Sequence, residues 1–383
     1  MAHIHVCLVS EQTVPNILGI HYLRPDDVLF ITTSKMNERS KVAHILDTLK
    51  EVELDYNGRY NQVEVREDSI LDCKQKLDIW INGKEESDFS VNLTGGTKIM
   101  SIAAYEYFKE YGCTMIYVPV GRNDFITVFP RKTSIRSTPL SLRLSVANYL
   151  AAYGSRVTNR AKLVNNRQDA EKRKDFSEWI VTHYAETKSL LERFSEKLRK
   201  RRDDRNGYYF KTSYVPQNSF EKEFFEAADF SCENGIYSKH LSQSEIIYLT
   251  GGWLEEYCYN EIARFQNQGI DDAVIGIIAE AEGHKNEFDV MFTKDNALYT
   301  VECKSLDQND DRKAEALYKI AALQKDFGLR VESFYVSTSP HVLKNGEIRP
   351  SIIARAEQFK TVVVPPHEVK NIGNIVAKRL HIQ

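Results

Sequence analysis

The first third of the chain alternates short apolar runs with amphipathic stretches, a pattern typical of strands that alternate with helices. Apolar residues dominate six short runs, at residues 3–10, 27–33, 61–67, 89–96, 114–121 and 125–129. Helical periodicity marks residues 40–52 and 97–112, and Gly112 ends the second helix. This alternation predicts a mainly parallel sheet covered by helices, which is a Rossmann-like domain.

The pattern changes after about residue 138. Long charged helical stretches with few strand signals follow, at residues 143–154, 174–202 and 218–230. From residue 242 onward the pattern is mixed again. We therefore predict an α/β protein with three regions: a Rossmann-like domain at 1–138, a helical connecting domain at 139–241 and a second α/β domain at 242–383.

The third region contains a predicted β-hairpin flanked by helices. The hairpin covers residues 286–305, and its turn lies at residues 294–296. The remaining predicted elements are helices at 251–265 and 312–328 and strands at 330–338 and 361–365.

Composition narrows the class of protein. The 383 residues are 42% hydrophobic and 27% charged, which is typical of a globular protein. No stretch approaches the roughly 20 apolar residues of a membrane span, and no secretion signal opens the chain, so we expect a cytoplasmic protein without a membrane partner. Six scattered cysteines without a CxxC pair argue against a zinc ribbon or a disulfide framework, and we interpret them as structural.

Net charge does not indicate a nucleic-acid partner. It is -3, whereas nucleic-acid-binding proteins usually carry a basic footprint. The one strongly basic run, KLRKRRDDR at residues 197–205, is interpreted as a solvated helix face in preference to a phosphate-binding track.

The hairpin brings together two carboxylates and an ammonium group. Because side chains alternate along strands, Glu302 and Lys304 share a face of the second strand, and Asp289 lies opposite the apolar face of the first. Carboxylates bind Mg²⁺ or Mn²⁺, which hold a phosphate and orient an attacking water, and a lysine can stabilise the developing charge. The alternative is a surface ion pair, but charges within apolar strands are more often functional.

The helix before the hairpin offers a further carboxylate. By helical periodicity Glu255 shares a face with apolar residues, whereas Glu256 lies with polar ones. We therefore predict that Glu255 faces inward and that Glu256 is solvated.

Three motifs in this order resemble the restriction-endonuclease-like PD-(D/E)xK nucleases: G-x-W-L-E at 251–255, N-E-F-D at 286–289 and V-E-C-K at 301–304. The resemblance implies that Glu255, Asp289 and Glu302 bind Mn²⁺ or Mg²⁺ and that Lys304 is the catalytic lysine. The chain departs from the literal motif because no proline precedes Asp289. Gln324 matches a position that is polar in some relatives, but we favour the interpretation that it is an exposed helix residue.

The N-terminal region carries a second sharp feature, the segment TGGTK at residues 94–98 between a strand and a helix. Two glycines permit a tight turn, and free N–H groups at a helix start attract anions. The segment is neither a Walker A loop nor GxGxxG, and a generic strand–helix corner is the alternative. Two more polar loops, at residues 8–16 and 31–39, also follow strands, and such loops gather at the ligand-binding edge of an open α/β sheet.

This region resembles the CRISPR-associated Rossmann-fold (CARF) sensors, which bind cyclic oligoadenylates across a dimer interface. Together with the nuclease motifs, the chain is similar to the CARF nucleases of type III CRISPR antiviral defence. The resemblance implies a homodimer that cyclic tetra-adenylate activates allosterically to cleave single-stranded DNA or RNA and to nick DNA. It assigns ligand contacts to Ser10, Gln12, Thr33, Lys35, Thr94, Gly95, Gly96, Thr97 and Lys98.

Two other functions stay open from the residues alone. One is a constitutive repair or restriction nuclease whose Rossmann-like half binds a nucleotide or a protein. The other is a non-catalytic, ligand-responsive regulator whose helical middle binds DNA. The intact Asp289, Glu302 and Lys304 argue against the second.

Overall fold

The computed structural model describes residues 1–119, 122–130, 137–306, 317, 327–329 and 331–382. The predicted helix at 312–328, with Gln324, lies almost wholly outside these residues. The elements of the N-terminal region, in chain order, are β1 (His3–Leu8), α1 (Val14–Leu23), β2 (Asp27–Thr32), α2 (Ser34–Glu38), α3 (Lys41–Glu51), β3 (Tyr60–Glu64), α4 (Ile70–Ile81), β4 (Asp88–Asn92), α5 (Lys98–Lys109), β5 (Thr114–Tyr117), β6 (Asp124–Phe129) and β7 (Ser137–Pro139).

The N-terminal sheet has the strand order β3-β2-β1-β4-β5-β6-β7. Its first five strands are parallel, and β6 and β7 add an antiparallel edge. The predicted Rossmann-like domain is therefore confirmed. Apolar residues fill both faces of the sheet, since α1 and α3 pack on one face and α4 and α5 on the other.

The middle of the chain contains more strands than its charge pattern predicted. Its elements are α6 (Val146–Ala152), β8 (Arg156–Val157), α7 (Arg160–Lys172), α8 (Lys174–Thr182), α9 (Tyr184–Leu198), β9 (Tyr208–Thr212), α10 (Ser219–Ala227), β10 (Ser231–Glu233) and β11 (Ile236–Leu241). Strands β9, β10 and β11 form a three-stranded antiparallel sheet. The predicted helix at 174–202 is divided at His183 into α8 and α9.

The C-terminal region is built on a second sheet. Its elements are α11 (Gln243–Ile247), a π-helical turn (Tyr248–Gly252), α12 (Trp253–Ala263), β12 (Asp272–Ala281), β13 (His284–Lys294), β14 (Ala297–Lys304), β15 (Val331–Ser337), β16 (Leu343–Lys344), β17 (Glu347–Ile348), α13 (Pro350–Gln358), β18 (Thr361–Val364) and α14 (Ile372–Arg379). The sheet order is β18-β15-β14-β13-β12-β8, so the middle region contributes the edge strand β8.

Buried apolar residues join the regions to one another. One cluster contains α9 and α10 of the middle together with α12 and the inner face of β13 and β14. A second cluster contains α1 and α3 of the N-terminal region and α6 of the middle, together with Met291 and Leu298 of the hairpin. The boundaries at 138/139 and 241/242 remain a prediction, but the middle shares its core with its neighbours. None of the described helices is long and apolar enough to cross a membrane.

Candidate active site

The hairpin of β13 and β14 positions two of the predicted site residues. Asp295 and Asn296 adopt positive φ angles of 50° and 57°, which produces the tight turn expected at residues 294–296. Val290 is paired with Val301 at the end of the ladder, and Asp289 and Glu302 are the next residues of the two strands. The backbone N–H of Cys303 donates a 2.7 Å hydrogen bond to Oδ2 of Asp289. This bond holds the Asp289 carboxylate at the end of β14.

Glu302 and Lys304 form an ion pair on the same strand. The Nζ atom of Lys304 lies 3.1 Å from Oε1 of Glu302, and the Glu302 residue is only 6% exposed. Burial favours a lower pKa for Lys304, but Glu302 and Asp289 outweigh it, and the net pKa is raised. Lys304 therefore stays cationic beside the carboxylates.

The π-helical turn before α12 brings Glu255 to the same place. Gly251 has a φ of 135°, and a Cβ atom there would lie 2.6 Å from Oγ of Ser305, directly after Lys304. Only glycine tolerates both this backbone conformation and this close approach. The G-x-W-L-E motif thus has a local reason for its glycine, because the residue lets the start of α12 contact the end of β14.

The prediction that Glu256 is solvated is wrong. The residue is 7% exposed, and both of its oxygens bind Arg173 of the middle region, with Oε2 accepting from Nε at 2.9 Å. Helical periodicity failed because α12 is enclosed on two sides, by the C-terminal sheet and by α7 and α8. The prediction that Glu255 faces inward agrees with its place in the cleft described next.

Glu255, Asp289 and Lys304 line a cavity of about 210 Å³. Its other lining residues come from α9 and its end, from the π-helical turn and from the end of β14: Ser195, Arg199, Arg202, Thr250, Gly251, Cys303, Ser305 and Leu306. Arg199 and Arg202 belong to the basic run at residues 197–205, for which the sequence predicted a solvated helix face. Their spacing of three residues, which places both on one side of a helix end, is the signal that could have singled them out.

The carboxylates perturb one another. Burial and the nearby charges of Glu255 and Glu302 raise the pKa of Asp289 well above its usual value. Burial also raises the pKa of Glu255 to about 7, although Arg202 opposes the change. Buried acids that repel one another are a sign of a functional site, since a structural core would pair or exclude them.

The carboxylates of Glu255, Asp289 and Glu302 are the type of ligand that a hard divalent cation prefers. Carboxylate oxygens are the preferred ligands of Mg²⁺ and Mn²⁺, and a cation would relieve the repulsion that raises the two pKa values. Within the described ranges, however, no three His, Cys, Asp or Glu side chains already stand in a metal-binding arrangement. The fit therefore rests on the donor types and their shared cavity.

The predicted ligand loops lie at the carboxyl ends of β1, β2 and β4, along one edge of the N-terminal sheet. Several predicted contacts have local structural roles: Thr33 caps α2, Thr97 caps α5, and Thr94 accepts a 2.7 Å hydrogen bond from the N–H of Val118. The N–H of Gln12 donates to Oγ of Ser10 at 3.3 Å.

The glycines and lysines of these loops have a different role. A Cβ on Gly95 would lie 2.0 Å from the carbonyl oxygen of Leu8, and Gly96 has a φ of 71°. Lys35 and Lys98 are exposed, and neither forms an ion pair with any residue that the structure describes. The loops therefore present a close-packed backbone with two cations beside it, which suits an anionic ligand.

Comparison with protein families identifies both ends of the chain. Residues 4–149 match the family described as "Card1 CARF domain", and residues 243–382 match the family described as "Card1-like, endonuclease domain". The chain belongs to the Card1-type CARF nucleases. As a member of this family it combines a CARF domain with an endonuclease domain, and the middle region lies between the two matched ranges.

Solved structures share the fold of this CARF nuclease over nearly its whole length. Protein VC1899 from Vibrio cholerae superposes with a TM-score of 0.80 at 19% identity and covers 99% of this chain and 98% of its own. Can2 from Sulfobacillus thermosulfidooxidans, solved in complex with cyclic tetra-adenylate, gives 0.77 at 20% identity, with 99% of both chains covered. A type III CRISPR defence DNA nuclease activated by cyclic oligoadenylate gives 0.50 at 16% identity and covers 94% of this chain and 52% of its own. No curated protein sequence matches significantly.

Proposed function

We propose that this CARF nuclease is a metal-dependent endonuclease of type III CRISPR defence that cyclic tetra-adenylate activates. The observation that carries the proposal is the cavity in which Glu255, Asp289 and Lys304 meet, with Glu302 paired to the lysine. Glu255, Asp289 and Glu302 would hold Mn²⁺ or Mg²⁺, which supplies a Lewis acid and activates water when bound. Lys304 is positioned to stabilise negative charge on the phosphate being cleaved.

The proposed ligand is supported from two sides. The CARF domain presents Ser10, Gln12, Lys35, Lys98 and the TGGTK loop on one sheet edge, and Can2, which shares the fold, was solved with cyclic tetra-adenylate. We propose that two chains form a homodimer around one ligand molecule. A dimer predicts twice the 44.1 kDa chain mass, about 88 kDa, in light scattering.

Allosteric activation needs a physical connection, and two contacts between the regions offer one. Oε1 of Gln12 accepts hydrogen bonds from the Tyr153 hydroxyl and from the N–H of Leu329, both at 3.1 Å. Leu329 lies just before β15, which pairs with the catalytic strand β14. A ligand that rearranges the loop of Gln12 would therefore act on the strand beside Glu302 and Lys304.

The second contact is at the turn of the catalytic hairpin. Oδ1 of Asn296 accepts from the N–H of Leu144 at 2.8 Å, and its Nδ2 donates to the carbonyl of Leu142 at 2.9 Å and to Oδ1 of Asn123. The hairpin that carries Asp289 and Glu302 is thus anchored at its turn to residues within the matched CARF range 4–149, which we call the sensor side. A ligand shifts such an arrangement only if it binds one state more tightly.

The experiment measures cleavage of labelled single-stranded DNA, single-stranded RNA and supercoiled plasmid by the purified protein with Mn²⁺ or Mg²⁺. We expect cleavage that needs both cyclic tetra-adenylate and the metal. Equal cleavage with and without the activator would instead support the constitutive repair or restriction nuclease.

A further inference from the structure

The C-terminal part of α9 and the 3₁₀ turn that follows it (Arg199–Arg201) form one wall of the cavity. Ser195, Arg199 and Arg202 follow one another at spacings of four and three residues, and all three line the cavity that holds Glu255 and Asp289. The backbone at this helix end is fixed, because Leu198 is fully buried and Nε2 of Gln243 donates a 2.8 Å hydrogen bond to the carbonyl of Arg202. The two guanidinium groups therefore extend from a rigid support.

These two arginines differ from the other cations of the basic run. Arg201 pairs with Asp204, and its guanidinium carbon lies 4.7 Å from the centre of the Tyr208 ring. No carboxylate oxygen of the described residues lies within 4.0 Å of the guanidinium nitrogens of Arg199 or Arg202. Lys200 is exposed and lies outside the cavity. Arg199 and Arg202 therefore line the cavity, whereas Lys200 and Arg201 lie on the protein surface outside it.

The cavity consequently has two chemically distinct sides. Carboxylates occupy the side of α12 and the hairpin, where a cation would bind, and the α9 side carries guanidinium groups. Arginine presents planar, paired donors that match the oxygens of a phosphate, and it keeps its charge at all ordinary pH values. A nucleic-acid strand needs both sides, because its scissile phosphate meets the metal while neighbouring phosphates need cationic partners.

We propose that Arg199 and Arg202 bind the phosphate backbone of the nucleic-acid substrate next to the bond that is cleaved. The middle region then completes the active site of the endonuclease domain as its substrate-binding wall. This inference rests on the proposed nuclease function. Since phosphate contacts carry no base information, the two arginines set the strength and position of binding and leave sequence preference unchanged.

The test compares Arg199→Ala, Arg202→Ala and the double variant with Lys200→Ala, which removes a cation of the same run outside the cavity. Binding of a labelled single-stranded oligonucleotide to the full chain is measured by fluorescence anisotropy, with cyclic tetra-adenylate and with EDTA to prevent cleavage. The measurement is repeated from 50 to about 300 mM salt. Initial rates with Mn²⁺ then give KM and kcat separately.

We expect each arginine variant to weaken binding by about tenfold, the size of a charge-assisted contact. The salt dependence of log Kd should become shallower by about 0.7 per arginine for a single strand, so by about 1.4 in the double variant. KM should rise more than kcat falls. Lys200→Ala should match the wild-type protein, and Arg202→Lys should restore part of the affinity.

Three results would overturn the inference. The first is an unchanged salt dependence in the double variant, and the second is an equal effect of Lys200→Ala. The third is a loss confined to Arg202→Ala that appears in kcat or metal affinity alone, which would make Arg202 only a counter-ion of Glu255. Failure of the nuclease function itself is recognised separately, because wild-type protein would then cleave no nucleic acid with activator and metal.

Discussion

Replacing Asn296 by glycine should uncouple the nuclease from its activator. Glycine keeps the positive φ of 57° that the turn needs, so the substitution removes the side-chain contacts without straining the backbone. Three hydrogen bonds are lost, to Leu144, Leu142 and Asn123. At about 1 kcal/mol each, they contribute roughly 3 kcal/mol to the connection between the hairpin and the sensor side.

This energy is comparable to the coupling that allosteric proteins use, about 1 to 3 kcal/mol or 5- to 150-fold. We therefore expect Asn296→Gly to reduce the ratio of cleavage rates with and without cyclic tetra-adenylate by at least about fivefold. The matched control is Asn345→Gly, because Asn345 has nearly the same φ of 56° but lies exposed in the turn between β16 and β17. An unchanged ratio in Asn296→Gly, or an equal decrease in the control, would refute the reasoning.

Three further predictions concern stability and ligand binding. Glu256→Ala should lower the free energy of unfolding by about 3 kcal/mol in urea denaturation, because the partly buried Arg173 loses its nearest carboxylate and keeps only Asp169, at 3.7 Å, as an ion-pair partner; a loss below about 1 kcal/mol would contradict this. Gly95→Ala should weaken binding of cyclic tetra-adenylate by more than about tenfold in calorimetry, because the new Cβ would collide with the carbonyl of Leu8; unchanged affinity would remove this loop from the ligand site. Burial lowers the pKa of His5 to about 3 from 6.5, so only the unfolded state gains a proton between these values. The contribution of neutral His5 to the free energy of unfolding is complete above pH 6.5 and should fall by about 2 kcal/mol at pH 5. A His5→Gln variant should lose this part of the pH dependence of stability. Identical pH profiles of unfolding in the two proteins would exclude His5 as its source.

The hairpin of the candidate site could be predicted from the sequence. Alternation along two strands and a turn at residues 294–296 place Asp289 and Glu302 at the ends of paired strands, because strand periodicity is a local property of the backbone. The same holds for the Rossmann-like sheet, whose strands and helices alternate with clear apolar patterns. The local periodicity of the sequence therefore predicted the strands and helices of the N-terminal sheet and the hairpin that carries Asp289 and Glu302.

Properties that depend on distant packing could not be obtained in this way. Glu256 has the spacing of an exposed residue, yet Arg173, more than 80 positions away, binds it. Arg199 and Arg202 have the composition of a surface run, and only the position of α9 against the π-helical turn places them in the cavity. The bonds of Gln12 and Asn296 join segments more than 140 residues apart, and no local pattern marks them.

The most direct test of the account is cleavage of a labelled single strand by the full-length protein with Mn²⁺, with and without cyclic tetra-adenylate, beside Glu302→Ala and the exposed control Glu347→Ala. The account predicts cleavage only with the activator, its loss in Glu302→Ala and its retention in Glu347→Ala. Cleavage that persists in Glu302→Ala, or a wild-type protein that binds the activator and cleaves no nucleic acid, would contradict it.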